Sequence, residues 1–160
     1  MKKICFLLSV FLTLLFVSCG KEVCIYDTLI KLTSDGSVHA GYVMCYGRDH
    51  GNSISDDTLS EYLGLDGYPQ FKEKIEELAV YSGVLVNFEE LAVLKLYSCV
   101  DVADGVLFFE RRIKAAKRAK MFGFDTSAAD TAYISVYGNT VVLFMMADNK
   151  SMQNKLEKEM

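Results

Sequence analysis

The chain is 160 residues long, 51% hydrophobic and 24% charged, with a formal net charge of -4 at neutral pH. That length and its supply of Leu, Ile, Val, Phe and Tyr suit a single folded unit, and one proline with no low-complexity tract argues against a disordered chain. The acidic balance argues against nucleic acid as a partner.

Lys2 and Lys3 precede an apolar run over residues 4–17, which is shorter than the ~20 residues that cross a bilayer as a helix and reads as an export signal. The run closes on Phe16-Val17-Ser18-Cys19, which resembles the bacterial lipobox, with Phe16 where leucine is usual. On this reading residues 1–18 are a lipoprotein signal peptide, Cys19 is the lipid attachment site, residues 19–23 are a short tether, and residues 24–160 are one domain. A multiply acylated cysteine anchors a domain because each buried CH₂ contributes about 0.8 kcal/mol. Beyond Cys19 the four residues Gly20 to Val23 span roughly 13 Å at about 3.3 Å per residue, so the domain is expected close to the extracytoplasmic face of the cell membrane. Loss of residues 1–18 removes two lysines and no acid, leaving a formal charge of -6.

Ile25, Leu29 and Leu32 recur at helical spacing and predict a short amphipathic helix that ends at the turn-forming Thr33-Ser34-Asp35-Gly36. Residues 37–47 fit a strand or a second helix. A glycine-rich polar loop follows, after which Asp57 is a candidate cap for a helix stopped by Gly64. Pro69 suits the start of another helical turn, with Phe71, Ile75 and Leu78 on one face. Residues 79–86 and 90–97 favour β structure and predict an antiparallel hairpin. Val102, Val106, Phe109, Ile113 and Ala116 recur at steps of four and three and predict a long amphipathic helix. Asp101 and Asp104 near its start and Arg118 and Lys120 near its end agree with the helix dipole, and Gly123 is a natural stop. A second hairpin is predicted around Gly138-Asn139, and Met152 and Leu156 mark a polar C-terminal helix. The expected fold is α+β: an antiparallel sheet from two β-hairpins, each followed by a helix, with the helices packed on one face and short helices preceding it. The repetition hints at internal pseudo-symmetry.

Chemistry-bearing residues are sparse. Asp49, His50, Asp56 and Asp57 supply oxygen and imidazole groups in one loop, yet loop spacing does not make ligands converge, and a solvated loop is the expectation. His39 reads as a structural residue. Glu89 and Glu90 form a carboxylate pair, but neighbours in a strand point to opposite faces, so a solvated edge is expected. Cys24, Cys45 and Cys99 match neither a CxxC nor a zinc-ribbon spacing and read as buried thiols, with one disulfide among them left open. No GxSxG, Walker, GxGxxG or HExxH motif occurs, and no metal or cofactor is expected. Between residues 110 and 120, Arg111, Arg112, Lys114, Lys117, Arg118 and Lys120 face one Glu110, a local charge of +5 on an acidic chain. This patch suits an anionic lipid surface or an acidic envelope protein, against the alternative of a solvated face paired with acids such as Glu110 to Lys114.

The segments Glu89-Glu90-Leu91-Ala92-Val93-Leu94-Lys95-Leu96, Phe109-Glu110-Arg111-Arg112-Ile113-Lys114-Ala115-Ala116-Lys117-Arg118-Ala119 and Tyr137-Gly138-Asn139-Thr140-Val141-Val142-Leu143-Phe144-Met145-Met146-Ala147-Asp148 resemble, in order and spacing, a family of short lipoproteins from Gram-positive bacteria catalogued as a domain of unknown function. The likeness extends over about residues 57–148. It implies an anchored extracytoplasmic α+β domain and carries no activity, cofactor or catalytic residue; the arginine conspicuous in that family's long helix would be Arg111 or Arg112. The sequence thus points to a membrane-anchored binding domain. An enzyme with a cleft between the N-terminal segment and the sheet, and an accessory subunit of a membrane complex, are the alternatives.

Overall fold

The structure is a computed structural model and describes residues 24–36, 38–47, 53–84 and 88–159. The expected signal peptide, Cys19, the expected tether, and Asp49 and His50 of the polar loop lie outside the described residues. In chain order the elements are α1 (Ile25–Thr33), β1 (Gly41–Tyr46), α2 (Asp56–Leu63), β2 (Ile75–Gly83), β3 (Glu90–Leu96), α3 (Val102–Arg118), α4 (Ser127–Asp130), β4 (Tyr133–Tyr137), β5 (Thr140–Met145) and α5 (Asn149–Glu159). The strands form one antiparallel sheet in the order β1-β2-β3-β5-β4. The fold is α+β, as the sequence predicts, and both expected hairpins are present, joined by pairing of β3 with β5.

The helices lie on both faces of this sheet, where the sequence reading put them on one. Alternation along the central strands sorts the side chains into two cores. Leu78, Val80, Ala92, Leu94, Leu96, Val141, Leu143 and Met145 pack with α2 and α3. Ala79, Tyr81, Leu91, Val93, Val142 and Phe144 pack with α1 and α5. A strand covered on both faces has no solvent side to carry polar residues, which is why β2, β3 and β5 read as near-continuous apolar runs.

Other boundaries moved for local reasons. Gly41–Tyr46 resolves to an edge strand paired with β2. Ile75 and Leu78 belong to β2, because the turn begun at Pro69 is a 3-10 segment, Pro69–Lys74, that ends before them. Ser55, not Asp57, caps α2: its hydroxyl accepts from the Thr58 N–H at 3.2 Å, and Gly64 closes the helix in the left-handed region at φ 64°. Asp101 makes no side-chain cap; its carboxylate is paired with Lys74 at 2.8 Å.

α3 seats closely on the sheet. A methyl group at Gly105 would stand 3.1 Å from Leu94 Cδ2 and 3.2 Å from Val141 Cγ2, so glycine lets the helix axis approach. Phe109 is fully buried, and Phe108, which the periodicity did not single out, packs on Phe71 with ring centroids 4.6 Å apart. α3 runs the length of the sheet. It begins beside Leu96 and Val141 and passes Glu90 at Arg112, and the chain just beyond it sets Phe124 against Phe88, ahead of β3. The start of α1 is at the other end, where the Tyr26 N–H donates to Glu77 at 3.4 Å.

Candidate functional site

The outer face of α3 gathers most of the basic residues. Arg111, Lys114, Lys117, Arg118 and Lys120 are exposed, and among the described residues none of them is held in an ion pair; the Glu110 to Lys114 pairing that the spacing permits is not made. Arg111 lies against the Phe108 ring, 5.7 Å from its centroid, with its charge toward solvent. Leu107, Arg111, Lys114 and Arg118 follow one another at four, three and four residues and so share a stripe opposite Phe109 and Ala116. Val100 before the helix and Met121 after it lie in 3-10 segments, and both are exposed. The stripe within α3 is therefore basic, with the exposed Leu107 at its start.

Arg112 is the exception. It turns into the seam between α2, β3 and α3, where its Nε donates to Glu90 Oε1 at 2.8 Å and its Nη2 to Glu90 Oε2 at 2.5 Å, a bidentate pair. Its Nη1 donates to the Tyr62 carbonyl at 3.3 Å, and the guanidinium lies 4.0 Å from the centroid of the Tyr62 ring. Tyr62 completes the group by donating its hydroxyl to Glu90 Oε1 at 2.7 Å. Burial, the largest single influence, opposes the Arg112 charge, but the Glu90 charge and hydrogen bonds together with the neighbouring Tyr62 and Tyr42 outweigh it and hold the proton more firmly than in a free arginine. Burial, and next the Glu90 charge, push the Tyr62 phenol well above its ordinary range. Each polar group is thus fixed by another, which suits joining three elements more than exchanging protons with a substrate. The cluster forms the floor of a cleft of about 380 Å³ whose rim includes Tyr42, Thr58, Glu61 and Ser82.

Glu89 and Glu90 do face opposite ways, as adjacent strand residues must, but both are buried, and the expected solvated edge is not found. Glu89 Oε2 is 2.7 Å from His39 Nδ1, and its Oε1 accepts the Ala147 N–H at 3.1 Å. Of the loop acids, Asp56 pairs with Lys72 at 2.9 Å. Cys45 is buried, and burial, followed by the charge of Glu77, pushes its thiol up, so the reactive thiolate is disfavoured. Cys99 is exposed and Cys24 half-buried, which corrects the expectation of burial for each; no disulfide joins the three to one another. Among the described residues no group of three His, Cys, Asp or Glu stands close enough to hold a metal, and no helix is long and apolar enough to cross a membrane.

Comparisons with protein families, with characterised proteins and with solved structures give no match to this chain.

Proposed function

We propose that the chain is a lipid-anchored extracytoplasmic domain that binds, without catalysing a reaction, and that the outer face of α3 is its contact with an anionic membrane surface. Cys19 is the proposed attachment point, and the likeness to short bacterial lipoproteins belongs to the same proposal. One observation carries the reading of the face: Arg111, Lys114, Lys117, Arg118 and Lys120 remain exposed without acid partners among the described residues, although the chain as a whole is acidic. Pairing with neighbouring carboxylates was the ordinary alternative, and among the described residues it is not made. Basic residues near an anionic leaflet each contribute about 1 kcal/mol, so the three on the α3 stripe, with Lys117 and Lys120 beside them in the chain, suffice to orient an anchored domain.

Lysine footprinting tests this on the full chain reconstituted in vesicles. Acetylation of Lys114, Lys117 and Lys120 should slow severalfold when phosphatidylglycerol is added to phosphatidylcholine, while Lys150 and Lys158 on α5, across the sheet, keep their reactivity. Equal reactivity of all five lysines in both lipids contradicts the reading.

A further inference from the structure

The chain turns sharply just after α3, and that turn carries an unusual concentration of exposed apolar surface. Met121 is 83% exposed, Phe122 78% and Phe124 47%. The turn is well defined: after the 3-10 segment Ala119–Phe122 the chain enters the left-handed region at Gly123, φ 83°, whose N–H donates to the Lys120 carbonyl at 3.1 Å. Phe124 is braced edge-on against Phe88, ring centroids 5.7 Å apart. Among the described residues no ring contact braces Met121 or Phe122, which follow the exposed Lys117, Arg118 and Lys120 in the chain.

Scattered single apolar residues on a surface need no explanation, but adjacent large ones that follow a basic run do, and here Lys117, Arg118 and Lys120 precede them while Asp125, which accepts the Ser127 N–H at 2.9 Å, comes after. We propose that residues 121–124 form an insertion tip, in which Met121 and Phe122 enter the boundary between headgroups and acyl chains of an anionic bilayer while Lys117, Arg118 and Lys120 engage the phosphates. This rests on the reading of the α3 outer face as a membrane contact and adds penetration to it. A bilayer is the occupant that the shape favours. Met121 and Phe122 are largely exposed, a fluid interface accommodates such side chains without a matching groove, and the basic residues that precede them complement lipid phosphate.

The position of the tip gives the proposal a geometric consequence. α3 has 17 residues and is about 25 Å long at 1.5 Å per residue, and it separates the tip from the end of the sheet where α1 begins. A lipid anchor on the N-terminal side and an inserted tip on the far side hold the domain at two points. Two weak attachments on one body reinforce each other, because holding the first keeps the second at high local concentration.

The chain contains no tryptophan, so Phe122→Trp places a single fluorophore at the tip. The full chain carrying it is reconstituted in phosphatidylcholine vesicles with and without phosphatidylglycerol. Energy transfer from the tryptophan to a dansylated headgroup reports approach of the face to the surface, and quenching by lipids brominated on their acyl chains reports insertion. In anionic vesicles the proposal expects efficient transfer, emission at shorter wavelength and severalfold quenching, all reduced when Lys117, Arg118 and Lys120 are replaced by Gln. Transfer that responds to anionic lipid without acyl-chain quenching overturns insertion and leaves the surface contact standing. Neither signal responding to anionic lipid overturns both.

Discussion

Replacing Arg112 by Met keeps the length of the side chain and removes the guanidinium, which leaves Glu90 buried with the Tyr62 hydroxyl in place of three donors. Removing one member of a fully buried pair costs about 3 to 5 kcal/mol. The Arg112 side chain is 32% exposed, and water reaching the vacated side solvates part of the Glu90 charge, which lowers the expected cost to about 2 to 3 kcal/mol. Against a stability of roughly 5 to 15 kcal/mol for a domain, this is a large fraction. With a urea dependence of about 2 kcal/mol per molar, the denaturation midpoint of Arg112→Met should fall by roughly 1 to 1.5 M. The Glu90→Gln, Arg112→Met double variant should recover part of that loss, since its buried group is no longer an unpaired charge. A midpoint of the single variant within roughly 0.3 M of the parent, or losses that simply add in the double variant, would refute the reasoning that the pair joins α3 to β3 and α2.

Phe109→Ala, at a fully buried position, should cost about 3 to 5 kcal/mol, and an unchanged denaturation midpoint would show that the ring is not part of the core beneath α3. Tyr62 holds its proton more firmly in the folded state than in the unfolded one, so its contribution is complete below about pH 10 and is lost as the pH rises above that value. Tyr62→Phe should therefore lower stability at neutral pH and make its alkaline decline shallower; an alkaline decline as steep as the parent's would contradict the assignment. Cys19→Ser should abolish incorporation of labelled fatty acid during growth, and incorporation that persists would remove Cys19 as the attachment site.

The strands and the long helix were legible in the sequence because their periods are strong. Val102, Phe109 and Ala116 repeat every seven residues, and the apolar runs in β2, β3 and β5 are too continuous for half-exposed strands. That same continuity held the signal for helices on both faces, since a strand with no polar alternation has no face left for water. Ile75 and Leu78 misled because they also fit a helical spacing with Phe71; the 3-10 geometry after Pro69 ends the turn first. The basic face was visible as local charge, but not the separation of Arg112 from its neighbours. Arg112 lies three residues after Phe109 and four before Ala116, on the buried side of the wheel, and a charge there calls for a buried acid. Glu90, at the mouth of an apolar strand, was the available candidate. The pairing of residues 22 apart in sequence depends on the sheet and helix meeting at that point, which spacing along the chain does not encode.

The claim that the outer face of α3 binds anionic membrane by charge is tested most directly by cosedimentation. A chain beginning at Val23, and so lacking any anchor, is mixed with vesicles containing phosphatidylglycerol at low and high salt, beside its Arg111, Lys114 and Arg118→Gln counterpart. The fold of the triple variant should persist, because substitutions at exposed positions usually change stability by less than about 0.5 kcal/mol. The parent should pellet with the vesicles at low salt and be released as the Debye length shrinks from about 10 Å at 0.1 M to about 3 Å at 1 M, and the triple variant should bind severalfold more weakly throughout. A parent chain that stays in the supernatant at low salt, or one that pellets regardless of salt and of the three substitutions, would contradict the claim.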